Sequence, residues 1–269
     1  MLFTVIRVQS SKLKYQCIIE ARRSIAEVKY LPPIAKTVRE VTVMMEHMSP
    51  RAKHWFIGGD RSLAVGVKLL REKKVIALPT DTIYGLATLA QDTECVEKLY
   101  EIKGRDKNKP FAIAVNSVKD ISRWGHVDHI LPDLLLTLLP GQVTIVVKRT
   151  GNLNPKLNPG IDTIGVRVAD SKFLRSLAKV LNEPLALTSA NRSNEPSSLT
   201  TEEFSELWPV IDGIFYNIPN KCKLDEKYRV GSTIVDLTVS GRYKIVRPGI
   251  VLDRTLKYLH YYGFKPVEV

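Results

Sequence analysis

The chain has 269 residues, enough for one large domain or one domain with appendages. Its 44% hydrophobic and 25% charged residues are ordinary for a soluble globular protein. No apolar run approaches the roughly 18 residues that a membrane-spanning helix needs, so we expect no integral membrane span. The net charge of +12 and the pI near 9.5 favour anionic partners, such as nucleotides, RNA or an acidic protein, without choosing among them.

The cysteines and histidines argue against a structural metal site. Cys17, Cys95 and Cys222 lie far apart and form no CxxC pair, which argues against a disulfide scaffold or a zinc site and for a reducing compartment. His126 and His129 form a close pair in the sequence, but no second pair of ligands lies near them. We therefore expect these histidines on the surface or in the core rather than on a metal.

Residues 1–54 precede the globular pattern and are predicted to be an N-terminal extension. Residues 1–19 contain basic residues and serines but no acid, which is typical of a mitochondrial transit segment. A disordered tail or an irregular extension is the alternative, because acids return from Glu20 and the pair Pro32-Pro33 breaks any helix. We expect a cytoplasmic protein, with a mitochondrial fraction if the segment acts as a transit signal.

Residues 75–111 are the stretch around which the chain is organised. The apolar run 75–78 predicts a buried strand that ends at Pro79, and a helix that ends at Gly104 is expected after a polar turn. The turn lies at the carboxyl end of a strand, where open α/β sheets bind ligands. It contributes hydroxyls, a carboxylate and a glycine, on Thr80, Asp81, Thr82, Tyr84 and Gly85.

A group of cations surrounds the end of that helix, namely Lys103, Arg105, Lys107 and Lys109. Lysine offers a point charge, and arginine offers a planar fork that matches carboxylate and phosphate groups. The group therefore favours a phosphorylated or carboxylated ligand. The alternative is a helix C-terminus whose cations only complement the helix dipole, and spacing alone does not separate the two.

The rest of the chain alternates apolar runs with helical periodicity. Strands are expected at 111–115, 143–147, 163–168, 185–187, 214–216, 233–237 and 243–246, and helices after Asp60, at 117–124, at 130–139 and after Asp170. Asp60 and Asp170 are predicted N-caps, and Thr200 with Glu203 fits a capping box. This alternation predicts one α/β domain with a mixed sheet.

Polar residues gather at the ends of these apolar runs. Any one of them is more often a turn or cap residue, but together with several cations they are predicted to converge on a ligand. They are Thr80 and Thr82, Lys103 and Arg105, Thr163 and Arg167, Ser189 and Asn191, Ser232 and Thr233, and Arg247.

Seven stretches within residues 55–250 resemble, in order, the YrdC family of threonylcarbamoyl-AMP synthases, in the short form found in animals. They are PTDTIYGLA (79–87), KGRDKNKPFAI (103–113), LPGQVTIVV (139–147), DTIGVRV (162–168), LTSANRSNEPSS (187–198), STIVD (232–236) and VRPG (246–249). The family's Lys-x-Arg and Ser-x-Asn pairs are present as Lys103, Arg105, Ser189 and Asn191. Positions that depart from the family pattern are Ala87, Asp106, Gln142, Asn194 and Ser198.

The resemblance implies a fold and a domain organisation. Residues 55–250 would form a single YrdC-like catalytic domain, with a twisted mixed sheet flanked by helices and a concave basic ligand cleft. Residues 251–269 would form a C-terminal tail, in which several aromatic rings are expected to pack in the core or to meet a partner.

The resemblance also implies a nucleotidyltransferase that joins L-threonine, bicarbonate and ATP into L-threonylcarbamoyl-adenylate and releases pyrophosphate. The product would pass to a KEOPS-type complex, which places the N6-threonylcarbamoyl group on adenosine 37 of tRNA. Mg²⁺ is expected with ATP, bridging phosphate oxygens and needing few protein carboxylates, and a weak contact with tRNA is expected as well.

Residue roles follow from the matched motifs. The expected catalytic residues are Lys103, Arg105, Ser189 and Asn191, and no residue is assigned as a metal ligand. The expected ATP-binding residues are Arg105, Lys109, Thr163, Ser189, Ser197 and Arg247. The expected threonine-binding residues are Thr80, Thr82, Arg167 and Ser232, with Arg167 paired to the substrate carboxylate.

Three other functions fit parts of the sequence. A basic RNA-binding module without catalysis agrees with the pI, but aromatic residues are not interleaved with the basic ones as base stacking requires. Carbamoyl transfer to another acceptor occurs in a hydrogenase-maturation protein with a YrdC-like domain, whose further cysteine-rich and acylphosphatase-like parts are not visible here. A membrane-associated role for the basic N-terminus lacks a convincing amphipathic stretch.

Overall fold

A computed structural model describes residues 53–104, 110–217 and 225–267. Its strands are β1 (His54–Phe56), β2 (Ile76–Pro79), β3 (Tyr84–Leu89), β4 (Ala112–Ala114), β5 (Val143–Lys148), β6 (Thr163–Arg167), β7 (Leu185–Ser189), β8 (Gly213–Tyr216), β9 (Thr233–Asp236), β10 (Arg242–Arg247) and β11 (Lys265–Pro266). Its α-helices are α1 (Gly59–Arg71), α2 (Thr93–Lys103), α3 (Pro132–Leu138), α4 (Lys172–Leu181) and α5 (Leu252–Tyr261). Short 3₁₀ helices are Val118–Arg123, Glu202–Leu207 and Glu226–Val230.

The described strands form one sheet in the order β1-β8-β2-β3-β7-β4-β6-β5-β9-β10-β11. The sheet contains both parallel pairs, such as β2 with β8 and β4 with β6, and antiparallel pairs, such as β2 with β3 and β5 with β6. The predicted fold class is thus confirmed as a single α/β domain whose twisted, open, mixed sheet is flanked by helices.

Helices α1 and α4 cover part of one face of the sheet. Their apolar sides pack with side chains of the central strands in a cluster that includes Leu70, Phe173, Leu177 and Leu187. The helices approach each other closely at Gly66, where a Cβ atom would lie 2.8 Å from the Leu177 side chain. A side chain at this position of α1 would therefore displace the Leu177 side chain.

A larger core lies on the other face. It joins residues of α2, α3 and α5 to strand residues that alternate with those of the first cluster, such as Leu86, Ile113 and Val166. Helix α2 begins at its N-cap Asp92, whose Oδ1 accepts a hydrogen bond from the Cys95 backbone N–H at 3.1 Å. It ends at Gly104 with a left-handed φ of 54°, which confirms the predicted end of this helix.

Three strands, β1, β3 and β11, were missing from the sequence prediction. The polar turn at 80–83 does not lead directly into a helix, because β3 (Tyr84–Leu89) lies between the turn and α2. β2 and β3 form a hairpin in which Leu78 pairs with Gly85 and Pro79 pairs with Tyr84. The turn residues are therefore the connection of a hairpin rather than a strand-to-helix turn.

Two predicted N-caps are wrong by one or two residues. Gly58 precedes α1, and Asp60 lies inside the first turn of that helix. Ser171 caps α4 by accepting a hydrogen bond on Oγ, so Asp170 lies just outside the helix. Serine and aspartate are both good caps, and their order along the chain does not show which one will take the position.

The predicted capping box of Thr200 and Glu203 does not form. The helix there is a short 3₁₀ segment preceded by Thr201, without a side-chain cap. Glu203 instead accepts a hydrogen bond from the Leu199 backbone N–H at 3.1 Å. A carboxylate three residues after a threonine is therefore not enough to specify this cap.

Residues 252–266, predicted as a tail, form α5 and β11. Leu259 and Phe264 are buried in the core, and β11 pairs with β10 in parallel. The domain boundaries at residues 54 and 250 stay predictions, and nearly all of the N-terminal extension lies outside the described residues. Within the described ranges, the helices are too short or too polar to cross a membrane.

Candidate functional site

A cleft of about 170 Å³ lies over the face of the sheet that α1 and α4 leave open. Leu187 belongs to the apolar cluster under these helices and also lines the cleft. Its partner on the neighbouring strand, Ala112, lines the cleft as well. Directly paired strand residues face the same side of a sheet, so the floor of the cleft continues the face that the helices cover. Polar side chains around it are Thr80, Thr144, Arg167, Ser189, Ser232 and Arg247.

Arg167, the last residue of β6, is the buried cation of the cleft. Its side chain is 7% exposed, as is that of Asp81, with which Nη2 forms an ion pair. Nη2 also lies 3.5 Å from the Thr82 hydroxyl oxygen, and Nε is buried without a hydrogen-bond partner. Burial lowers the pKa of this guanidinium, and the Asp81 carboxylate opposes that shift.

The hairpin turn after β2 forms the wall beside Arg167. The Thr80 hydroxyl donates a hydrogen bond to the carbonyl of Ile83 at 2.7 Å and accepts one from the backbone N–H of Thr82 at 3.1 Å. The Thr80 and Thr82 hydroxyl oxygens are themselves 3.1 Å apart. The turn therefore fixes two hydroxyls side by side, of which Thr80 lines the cleft and Thr82, a predicted threonine-binding residue, does not.

Ser232 and Arg247 form another wall. The Ser232 and Thr144 hydroxyl oxygens lie 2.9 Å apart, and Arg247 Nη2 donates to the Ser232 carbonyl at 2.8 Å and to its Oγ at 3.2 Å. Gly249 lies so close to the backbone of Ser232 that a Cβ atom at 249 would overlap it. The position of Ser232 thus depends on close backbone packing as well as on Arg247.

Lys103 joins the end of α2 to the loop after β7. Lys103 is only 2% exposed, and its Nζ donates a hydrogen bond to the Ser189 carbonyl at 2.8 Å. Nζ also contacts the carbonyl of Asn191 and lies 3.3 Å from Asn191 Oδ1. Three residues of the predicted catalytic group thus meet, and Ser189 among them lines the cleft.

The Asn191 amide organises the next loop. Nδ2 donates to the carbonyls of Arg192 and Glu195 at 2.7 and 2.8 Å. The same side chain therefore contacts Lys103 through its oxygen and the loop after β7 through its nitrogen. Asn191 acts as a hub that holds the loop against the end of α2.

A family model described as Sua5_yciO_yrdC, telomere recombination, matches residues 68–249. The chain belongs to this family. It is also 43% identical to a Bos taurus protein named threonylcarbamoyl-AMP synthase and 42% identical to one of the same name from Homo sapiens. Each match covers 78% of this chain and 75% of the relative.

Among solved structures, the fold is similar to that of P. abyssi Sua5 complexed with L-threonine. The TM-score is 0.65 at 23% sequence identity, over 80% of this chain and 62% of the other. The chain therefore spans less than two thirds of the length of that structure. At this identity the likeness concerns the fold alone.

Not every site residue predicted from the YrdC resemblance lies at the cleft. Thr163 begins β6, four residues before Arg167, and strand residues rise by about 3.3 Å each, so the two lie about 13 Å apart along the strand. Ser197 accepts a hydrogen bond on its carbonyl from Arg229 at 2.7 Å and is not part of the lining. Arg105 and Lys109 lie outside the described residues, so the basic character of the cleft stays a prediction.

Other residues of the cleft were missed in this YrdC-family sequence. Thr144 and Ile234 lie in the middle of strands β5 and β9, pair with each other and line the cleft. They can be found only once the strand register is known, because neither lies at the end of a strand and Ile234 is not polar. Asp81 was noted in the polar turn without a role, although it is the partner of Arg167.

Tyr84 is a further lining residue that the sequence analysis left without a role. Its ring packs against Phe204, with 5.6 Å between ring centroids. Burial raises the pKa of its hydroxyl to about 12. The phenol is therefore neutral at physiological pH and serves as an uncharged part of the wall.

The described residues of this family member contain no group of three or more His, Cys, Asp and Glu side chains able to hold a metal. Asp81 is the carboxylate nearest to Arg167, and both of its oxygens are engaged, one by Arg167 and one by the Asp170 backbone N–H at 2.9 Å.

Proposed function

We propose that this protein is a nucleotidyltransferase that forms L-threonylcarbamoyl-adenylate and pyrophosphate from L-threonine, bicarbonate and ATP. Its relatives named threonylcarbamoyl-AMP synthase align over most of both chains, which supports the same reaction here. The observation that carries the proposal is a cleft lined both by the buried Arg167 and by Ser189, whose carbonyl accepts a hydrogen bond from Lys103. An amino acid and a nucleotide would meet between these two groups.

The amino acid would bind at the Arg167 side. A guanidinium binds a carboxylate through paired N–H donors, and Nε of Arg167 is a buried donor without a partner. The hydroxyls of Thr80, Thr82 and Ser232 would hold the polar atoms of threonine. The cleft volume of about 170 Å³ is below the roughly 300 Å³ at which sites for larger ligands begin, so it would hold the amino acid together with only part of the nucleotide.

The nucleotide would extend from the cleft toward the Lys103 side. Lys103, Arg105, Ser189 and Asn191 are the proposed catalytic group, with the two cations directed at the triphosphate. Lys103 is 2.8 Å from the Ser189 carbonyl, so it would either hold this loop in place or exchange a carbonyl for a phosphate oxygen. Further ATP contacts are proposed for Lys109, Thr163, Ser197 and Arg247.

The chemistry would proceed through a carbamate. The amine of threonine combines with bicarbonate to form a carbamate and release water. A carbamate oxygen then attacks the α-phosphorus of ATP, while the bond from this phosphorus to the oxygen that bridges to the β-phosphate breaks and pyrophosphate leaves. Negative charge develops on the leaving pyrophosphate, where fixed cations lower the barrier. No covalent enzyme intermediate is needed, since holding the reactants in place can supply about 7–11 kcal/mol.

Mg²⁺ would bind with ATP, through phosphate oxygens and water. Mg²⁺ keeps several waters when it binds phosphates, so few protein carboxylates would be needed. When bound, the ion would neutralise charge on the triphosphate. Placing the triphosphate would then be the task of the cations around Lys103.

The product would serve tRNA modification. A KEOPS-type complex would accept it and transfer the threonylcarbamoyl group to adenosine 37, with at most a weak tRNA contact by this protein. The proposed location is the cytoplasm, with a mitochondrial fraction directed by residues 1–19.

Pyrophosphate release by the purified protein tests the proposal. We expect release with ATP, threonine, bicarbonate and Mg²⁺ together, and loss of it when any one of these is omitted. Added RNA should not be required. Release that needs RNA, or no release combined with salt-sensitive RNA binding, would favour an RNA-binding module instead.

A further inference from the structure

Asp81 holds Arg167 from below the surface of the cleft. Its carboxylate is 7% exposed and is not part of the lining, yet one oxygen forms the ion pair with Arg167 Nη2. The other oxygen accepts the Asp170 backbone N–H at 2.9 Å. The Asp81 carbonyl accepts Gln142 Nε2 at 2.7 Å. The carboxylate is thereby fixed on both oxygens and cannot turn away with the arginine.

The contact with Asp81 leaves most N–H donors of the Arg167 guanidinium available to a ligand. Among the described residues, Arg167 uses only Nη2 in hydrogen bonds, and Nε is buried and unpaired. A guanidinium carries five N–H donors in a rigid plane, so fixing one nitrogen fixes the direction of the others. A buried guanidinium without any anion would move toward water, because burial disfavours an unpaired charge.

We propose that Asp81 is a positioning residue that holds the Arg167 guanidinium toward the cleft and thereby sets the affinity for the carboxylate of the amino acid substrate. This inference rests on the proposed function, because it takes Arg167 as the carboxylate-binding group. Asp81 acts through Arg167 and does not contact the substrate itself. Its removal should therefore affect the amino acid and not the nucleotide.

The variant Asp81→Asn tests this with little change in shape. The amide keeps one acceptor but must point a donor at either Arg167 or the Asp170 N–H, so the anchor is lost on one side. We expect the KM for threonine to rise by a factor of about ten or more, while the KM for ATP stays within about twofold and kcat at saturating threonine within about threefold. Calorimetric threonine binding should weaken by the same factor as the KM rises.

Asp170→Asn is the matched control. Its side chain is 72% exposed and pairs with Arg175 at 3.7 Å, so the variant removes the same charge next to the pair while the backbone N–H that holds Asp81 remains. Asp81→Glu is the conservative variant, which keeps the charge and should recover part of the threonine affinity. If Asp81→Asn does not fold, Asp81→Glu carries the test, with an intermediate rise in the threonine KM.

The outcomes separate the inference from the proposed function. Wild-type protein that neither releases pyrophosphate with threonine nor binds threonine overturns both. Wild-type activity combined with an unchanged threonine KM in Asp81→Asn, or in Asp81→Glu where it replaces that variant, overturns the inference alone. A lower kcat with both KM values unchanged would also overturn it, since that pattern means only a smaller folded fraction.

Discussion

The ammonium of Lys103 contacts both the main-chain and the side-chain oxygen of Asn191, 88 residues further along the chain. With the Ser189 carbonyl at 2.8 Å, this makes Lys103 the link between the end of α2 and the loop after β7. The two halves of the family's paired motif are thus in direct contact. The contact brings together a lysine and an asparagine that are far apart in the sequence.

Replacing Lys103 with methionine should reduce stability and abolish activity. The carbonyls of Ser189 and Asn191 would lose a buried donor, which costs about 1–3 kcal/mol of unfolding free energy. The proposed phosphate contact would be lost as well. Urea unfolding and pyrophosphate release measure the two effects separately.

Lys98→Met is the control on the same helix. Lys98 donates to Asp212 at 2.7 Å, but its side chain is 35% exposed, so the ion pair should contribute about 0–1 kcal/mol. Activity should remain at the wild-type level. Equal losses of activity in both variants would contradict a specific role for Lys103.

Gln142 connects two walls of the cleft. Its side-chain Nε2 donates a hydrogen bond to the Asp81 carbonyl at 2.7 Å, and its backbone carbonyl accepts one from the Thr233 backbone N–H at 3.0 Å. Gln142→Ala removes the first contact, so we expect a loss of about 0.5–1.5 kcal/mol in stability. The KM for threonine should rise by a factor of about three, less than in Asp81→Asn.

Gln91→Ala is the matched control for that variant. Gln91 also tethers a loop, through Nε2 to the Asn152 carbonyl at 2.7 Å and through Oε1 to the Asn154 N–H at 2.9 Å, but it does not line the cleft. It should lose stability without any change in the threonine KM. If both variants shift that KM alike, Gln142 has no special effect on the site.

Gly249 is predicted to tolerate no side chain. A Cβ atom there would overlap the backbone of Ser232 and Thr233, so Gly249→Ala must displace the wall that carries Ser232. Overpacking of this kind costs about 1–3 kcal/mol, and the melting temperature and threonine affinity should both fall. Gly151→Ala meets no atom within 4 Å and should leave both unchanged. A Gly249→Ala protein with wild-type melting and threonine affinity would contradict the close packing.

Tyr84 should make stability depend on pH in the alkaline range. Burial raises the pKa of its hydroxyl to about 12 in the folded protein, against about 10 in an unfolded chain. Ionisation then favours the unfolded state, so the contribution of Tyr84 is complete below pH ~10 and declines from there to pH ~12. The free energy of unfolding of the wild type, measured relative to that of Tyr84→Phe, should therefore fall as pH rises through this window.

Tyr261, a residue that is 80% exposed, provides the control Tyr261→Phe for the substitution itself. If the free energies of unfolding of wild type and Tyr84→Phe differ by a constant amount from pH ~10 to ~12, the Tyr84 hydroxyl is not buried as the fold places it.

Patterning predicted most elements because the strands are short apolar runs with breakers at their ends. β2 and β5 are of this kind, and α2 has both a periodic apolar side and a glycine at its end. β3 was missed because its sequence, YGLATL, mixes a glycine and a threonine into the apolar run and follows a turn that also suits a helix start. The hairpin is specified by its pairing with β2 and β7, which is a tertiary effect.

The site was predictable where polar residues mark strand ends and motifs. Thr80, Arg167, Ser189, Ser232 and Arg247 were identified in this way and line the cleft. Thr144 and the pairing of Asp81 with Arg167 could not be found, since the first depends on strand register and the second joins residues 86 positions apart. The role of Thr163 as an ATP contact stays a prediction.

The most direct test of the central claim is the composition of the product. Purified protein would be incubated with Mg²⁺ and ATP labelled at the α-phosphate, together with labelled bicarbonate and labelled threonine. We predict one adenylate that contains all three labels in equal amounts and forms in step with pyrophosphate. Pyrophosphate or AMP formed without threonine, or an adenylate that lacks the bicarbonate carbon, would contradict the account.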